Sequence, residues 1–365
     1  MGIIVHSKQP LTVTDLDHFL QDDFQSASAS GVSASASMAS ASVKDVCDRL
    51  LPIVSIDTGD EEKIKIRHSA FRDYLIDSDR GRLFGNAFHG NAHANMTIRC
   101  LEIMQEKLKF NICKLKSSYR MNDQIEDKDN LVKKYIPSYL AYSCQYWADH
   151  LRGVTGADNR REEEIVILLR NFLDSHLLHW LEVLSLLSKS DVATKSLLVA
   201  AEWSEWPEVS STVVNRSRRR QTRVKELSLF RLAADASRFS FTFADVISAS
   251  APHIYLSALP FAPQSSLVSD RYREQFPQTI KVLHGKQDEE EDKWPSMRFS
   301  ISTKNPVYGI SIHPNGRKVA AAGVGVARVY SMTTGETLIT LSGHRRSARA
   351  IEYSPRGKRI ATGAH

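Results

Sequence analysis

The chain has 365 residues, 42% of them apolar and 25% charged, with a formal net charge of +6. This is an ordinary globular composition, long enough for about two or three domains with a sizeable core. Cys47, Cys100, Cys113 and Cys144 stand far apart with no CxxC pair. That excludes a disulfide framework or a zinc ribbon and points to small core thiols in reducing cytosol.

At the N-terminus, "MGIIVHSKQP" is too short and polar for a signal peptide. His6 stands where the myristoylation pattern needs Ser or Thr. In "PLTVTDLDHFL", Thr12 and Asp15 form a Thr-x-x-Asp start signal ahead of helically spaced apolar residues, which predicts a short capped helix. The Ser/Ala-rich run 26–42 lacks bulky apolar residues and reads as a disordered insertion. "VKDVCDRLLPIVSI" then predicts a helix leading into a strand, and the alternation of "KIKIRH" predicts a second strand after a turn. Two helices and a hairpin outline a winged helix over residues 1–84.

Helical periodicity dominates residues 85–262, in five apolar-striped segments from "NMTIRCLEIMQEKLK" to "VKELSLFRLAADASRFSFTFADVISA". The most apolar of them, Ile165 to Leu187, contains Arg170, Asp174 and Glu182, so it is a soluble helix and not a membrane span. Without a secretory route, the sequons at Asn95 and Asn215 carry no meaning. Arg216 to Lys225 is a basic run, and Asp288 to Asp292 is five acids in a row. Both read as solvated linker, and the acidic run lies in a linker spanning 263–300 that follows the Pro-marked "LPFAPQSSL". The basic run also permits nuclear import or nucleic-acid contact, but it has no aromatic residue to stack on bases.

Residues 301–365 change character. A shift of 41 lays Ile310 on Ile351, Pro314 on Pro355, Gly316 on Gly357 and Val319 on Ile360. Strand, Pro-x-Gly turn, strand and two further strands per unit fit a WD-repeat propeller blade. About one and a half blades are present, too few to close a ring. The first blade has Val324 and Gly325 where a WD blade carries its turn aspartate, and Tyr330 and Ser331 where it carries Trp-Asp. His344 is thereby left without its usual acidic partner in that blade. The expected fold is mainly α with a small C-terminal β segment: partial winged helix, all-helical middle, incomplete propeller.

"IRHSAFRDYL", "LKFNIC", "YSCQYWADHL", "HLLHWLEVLSLL" and "SAPHIYLSALPFAPQSSL", in this order and followed by WD-type repeats, resemble the fungal NACHT/WD-repeat proteins. These are NOD-like nucleotide-switch receptors associated with heterokaryon incompatibility. The resemblance implies a receptor segment running from the winged helix into the propeller, cytoplasmic, with protein partners and no membrane. It also implies that His68 contacts the phosphates of ADP when a P-loop module is present upstream. This chain has no Gly-x-x-x-x-Gly-Lys-Ser/Thr, so no cofactor and no hydrolysis are expected of it alone. A gene-model fragment or a truncated paralogue would each explain where the chain begins and ends.

The bland alternative makes His68 a strand-to-helix junction beside a capping Ser69. His89 and His93, four apart, lack a third ligand and are expected to be structural, as are His176 and His179 beside Trp180. "GVGVAR" (Gly323 to Arg328) reads as a hairpin turn, and no Gly-x-Ser-x-Gly elbow occurs. The expected function is non-catalytic: scaffolding, interaction or signal sensing. The alternative is a nuclear or nucleic-acid adaptor using residues 216–225.

Overall fold

The Thr-x-x-Asp signal closes as a reciprocal cap. The Thr12 N–H donates to Asp15 Oδ2 at 2.9 Å and the Asp15 N–H to Thr12 Oγ1 at 3.0 Å, satisfying amides that a helix start leaves without partners. The computed structural model describes residues 2–20, 49–57, 62–76, 91–154, 158–204, 219–280, 294, 301, 303, 305–316, 318–332, 335–344 and 346–364. The Ser/Ala-rich run, the acidic run, Cys47 and His89 lie outside them.

The N-terminal unit contains α1 (Gly2–His6), β1 (Leu11–Thr12), α2 (13–20), β2 (Val54–Asp57), β3 (Lys63–Ile66) and α3 (Ser69–Ile76). Its strands form an antiparallel sheet in the order β1-β3-β2. The sequence predicted only the β2–β3 hairpin, because two residues of β1 are too few to show a period of two.

The helical body comprises α4 (Ala92–Lys107), α5 (Lys128–Tyr135), α6 (Ser138–Arg152), α7 (Asn159–Asn171), α8 (Leu177–Leu186), α9 (Asp191–Ser204), α10 (Arg219–Thr242), α11 (Ala244–Ala249), α12 (Leu259–Phe261) and α13 (Leu267–Tyr272). Pro137 separates α5 from α6, as expected of a residue with no N–H to continue a helix. Two expectations change here. Helix α10 begins at Arg219, so the second half of the basic run is helical and not linker. Residues 267–275 are helical and packed on the body, and Trp294 donates from Nε1 to Asp235 and stacks against Phe239 and Phe243. The helical body therefore extends past residue 262, into the stretch expected to be linker.

The N-terminal unit and the helices also share one core. Leu11, Leu16, Phe19, Val54 and Ile64 are buried in the same apolar cluster as Met104, Trp147 and Trp180. Polar ties cross the same join: Arg99 Nε to the His18 carbonyl at 2.8 Å, Ser138 Oγ to Asp15 Oδ1 at 2.5 Å, and the Lys8 N–H to Tyr142 Oη at 3.1 Å. Among the described residues no helix is long and apolar enough to cross a membrane.

The C-terminal part holds an antiparallel four-stranded sheet, β4 (Val307–Ile312), β5 (Lys318–Gly323), β6 (Val326–Ser331) and β7 (Thr337–Ser342), and a two-stranded one, β8 (Ala348–Tyr353) and β9 (Ile360–Ala364). The repeat read from sequence is a repeat in space. Gly316 and Gly357 both take positive φ, +71° and +69°, a conformation open to glycine because it has no Cβ. In both turns the glycine N–H donates three residues back at 2.8 Å, Gly316 to His313 and Gly357 to Ser354. The bulge between Val307 and Gly309 recurs between Ala348 and Ala350. Gly323 to Arg328 is the predicted hairpin turn, with Gly325 at φ +72°. His344, expected to lack an acidic partner in its own blade, pairs instead with Thr362 Oγ1 in the second unit at 2.7 Å.

Candidate functional site

Helix α8 is apolar almost throughout, yet it carries one carboxylate, Glu182, at 2% exposure. A charge in such a place is tolerable only if donors replace the lost water. Glu182 Oε1 accepts from the Ile112 N–H at 2.9 Å, and Oε2 accepts from the Asn111 N–H at 3.2 Å and the Tyr255 hydroxyl at 2.8 Å. Asn111 takes a left-handed φ of +48°, turning these successive amides onto the carboxylate. Burial raises the Glu182 pKa, and the three hydrogen bonds pull it back. The Tyr255 hydroxyl is pushed well up by burial and by the adjacent carboxylate, so it stays protonated and donates.

Trp180 stands two residues before Glu182 on α8 and so faces away from it; it is fully buried, donates from Nε1 to the Cys144 carbonyl at 2.9 Å and meets Trp147 and Phe172 edge to face. The convergence has a sequence-level meaning. "LKFNIC" supplies Asn111 and Ile112, "YSCQYWADHL" supplies Cys144 and Trp147, "HLLHWLEVLSLL" supplies Trp180 and Glu182, and "SAPHIYLSALPFAPQSSL" supplies Tyr255. Four of the five stretches that carry the family resemblance meet around one buried hub, helix α8, which is itself one of them: two reach Glu182 and one reaches Trp180.

Two π-helical turns shape this hub, Phe172–His176 between α7 and α8, and Ile254–Ala258 ahead of α12. The first has a visible cause. The Tyr272 hydroxyl accepts from the Leu177 N–H at 2.9 Å and donates to the Leu173 carbonyl at 3.0 Å. It therefore occupies the gap where these two groups would bond each other in an α-helix. Asp174, in the same turn, is paired with Arg271.

Two further buried polar side chains fasten the body. Asn122 donates to the Ser185 hydroxyl at 2.8 Å and the Ser248 carbonyl at 3.0 Å, and accepts from the Ala251 N–H at 3.1 Å. Asp235 accepts from the Ser266 hydroxyl at 2.7 Å and the Val268 N–H at 2.9 Å. A histidine cluster lies at the join with the N-terminal unit. His93 and His150 approach Nδ1 to Nδ1 at 3.2 Å, His150 Nε2 pairs with Tyr142 Oη at 2.9 Å, and His6 stands edge-on to His93 with centroids 4.7 Å apart. Burial chiefly, then the neighbouring histidines and Lys8, lowers His93 to about 4 and His150 to about 3, so both rings are neutral near pH 7. Gly153 closes the cluster: a Cβ there would stand 2.7 Å from the His93 ring.

The residues singled out from sequence are scattered. His68 is exposed at the β3–α3 junction, and its carbonyl accepts the Arg72 N–H at 3.5 Å. It is not part of the hub or of the histidine cluster. His93 lies in the histidine cluster, against His150. His176 and His179 flank the hub on its rim. Their Nδ1 atoms are buried without a hydrogen-bond partner among the described residues, so the expectation that these rings are satisfied does not hold for those atoms. Burial lowers both pKa values, that of His179 to about 4. Among the described residues no group of three His, Cys, Asp or Glu side chains is arranged to hold a metal ion. Glu182, Tyr255, Asn122 and Asp235 were not expected as a network. The signal for Glu182 was its isolation in an apolar helix, which the sequence reading used only against a membrane span.

No family model matches the chain. Over 233 residues, 61% of this chain, it is 24% identical to vegetative incompatibility protein HET-E-1 of Podospora anserina. The match covers 15% of that protein's length, so the chain spans a small part of the curated relative. The similarity supports a distant relationship to fungal NACHT/WD-repeat signalling proteins.

Proposed function

We propose that this chain is a non-catalytic interaction and relay segment of a NACHT/WD-type signalling receptor. In this reading the helical body is a stiff joint between a winged-helix-like unit and the first units of a WD-type propeller. The observation that carries it is the saturation of the Glu182 carboxylate. Glu182 is buried and accepts three internal hydrogen bonds, from donors up to 73 residues away from it in sequence. A general acid or base has to reach a substrate proton, whereas this carboxylate faces the protein's own amides. The continuous core across the N-terminal join supports the same reading, since a relay must transmit displacement and not absorb it.

His68 is assigned, on the family resemblance, to contact the phosphates of ADP held by a P-loop module, and its exposed position is compatible with that role. Calorimetric titration of the 365-residue chain with ADP and ATP, alongside a phosphate-release assay, tests the reading. Neither binding heat nor phosphate is expected. ATP turnover by the purified chain would overturn it.

A further inference from the structure

The histidine cluster at the N-terminal join runs in one direction. The Lys8 N–H can only donate, so Tyr142 Oη accepts it at 3.1 Å and gives its own proton to His150 Nε2 at 2.9 Å. His150 then carries its proton on Nδ1 and donates to His93 Nδ1 at 3.2 Å. Tyr142 and His150 are fully buried. Three contacts are filled by three protons, with both rings neutral.

An added proton has no place in this chain. On His150 it points an N–H at Tyr142 Oη and turns the hydroxyl proton away from both of its partners, inside a fully buried site. On His93 it sets two N–H groups face to face, or moves the His150 proton to Nε2 and strands the same hydroxyl. With both rings charged, donor must face donor. A buried donor without an acceptor has lost its water and gained nothing in return.

The surrounding charges do not offset this. From the N-terminal unit, the rings meet His6, edge-on to His93, and Lys8. Next to His150 in α6, Asp149 is faced by Arg152, Lys8, Glu336 of the β6–β7 turn and Lys195 of α9. At the start of α7, Asp158 and Arg161 are paired with each other, and Arg161 reaches α4 at Asn95. From α3, Arg72 donates from Nε to the Val5 carbonyl at 3.0 Å. Cys100 and Tyr146, both raised by burial, stay protonated.

Helix α1 depends on the chain, because five residues are too few to hold a helix without packing. We infer that the cluster is an acid-operated latch: protonation of the His93–His150 pair releases α1 and the residues through Lys8 from the helical body, which keeps its fold. The body has its own fastenings at Glu182, Asn122 and Asp235, and none of them includes a residue of the cluster. Burial opposes protonation of both rings in the closed state, so the latch is shut near pH 7 and loosens as pH falls below about 6.5, where released histidines charge. The inference goes beyond the receptor reading and does not rest on it.

Hydrogen exchange of the 365-residue chain at pH 7 and pH 5, corrected for the intrinsic change in rate, provides the test. Residues 2–9 are expected to lose about tenfold more protection than α8, a comparison that needs no variant to fold. Tyr142→Phe removes the acceptor of the Lys8 N–H and is expected to speed exchange of residues 2–9 already at pH 7. Combining His93→Asn with His150→Gln puts non-titrating amides at the ring positions and leaves His6 in place, so residues 2–9 are expected to stay as protected at pH 5 as at pH 7. Equal losses in residues 2–9 and α8 of the parent chain, no loss in residues 2–9, or a folded combined variant that loses protection as the parent does overturns the inference.

Discussion

The helical body and the β segment meet the same demand, burying apolar surface, in opposite ways. In the body, Trp147, Phe172 and Trp180 are fully buried against one another, and Glu182, Asn122 and Asp235 are each tied down by several hydrogen bonds. In the β segment the core is built mostly from alanines, while Val307, Tyr308, Ile310, Ile312, Leu338 and Ile339 stand exposed. Helices close a core among themselves. A sheet with one face covered still presents the other, so its large residues remain available to a neighbour.

Truncating the centre of the body should have the largest effect. Trp180→Ala leaves a cavity and removes the hydrogen bond to the Cys144 carbonyl, and is expected to cost about 3–5 kcal/mol in denaturant unfolding. Glu182→Ala follows at about 3 kcal/mol, because it strands two backbone amides and the Tyr255 hydroxyl. Glu182→Gln keeps an acceptor oxygen and should cost about half as much. If the alanine variant is no worse than the glutamine, the hub is not held by its hydrogen bonds.

Acid should act on the body through its neutral histidines. His93, His150 and His179 have folded pKa values lowered to about 4, about 3 and about 4, whereas an unfolded histidine titrates near 6.5. Between those limits the unfolded chain binds more protons. Stability is therefore complete above about pH 6.5 and falls as pH drops through the window, by up to about 1.4 kcal/mol per pH unit for each ring. Glu182 opposes this, since its raised pKa lets the folded chain take that proton first. His93→Gln should flatten the pH dependence of the unfolding midpoint between pH 6.5 and 4, and an unchanged slope would rule the ring out as a contributor. The smallest effect on stability is expected at Ile310→Asp, within about 0.5 kcal/mol of the parent, because that side chain is already in water.

How much of this was legible in the sequence follows the range of the interactions. The Thr12–Asp15 cap and the turns at Gly316 and Gly357 depend on residues a few positions apart, and the 41-residue repeat shows as the same local pattern written twice, so they were readable. The π turn after Asn171 depends on Tyr272, nearly a hundred residues later, and no local pattern announces it. Glu182 was visible as an anomaly, but its partners at 111, 112 and 255 become neighbours only once the helices pack. The helices of residues 267–275 were hidden by the prolines of "LPFAPQSSL", which mark a break but not its length. His68 was singled out by resemblance alone, and its exposed position agrees with either a nucleotide contact or a plain strand-to-helix junction.

Hydrogen exchange of the 365-residue chain, followed peptide by peptide, tests the contrast between the two regions most directly. The account predicts the slowest exchange in peptides spanning Cys144 to Trp147 and Phe172 to Leu186, and exchange faster by orders of magnitude in β4 and β9 at low protein concentration. Equal protection of β4 and α8 in dilute solution would contradict it.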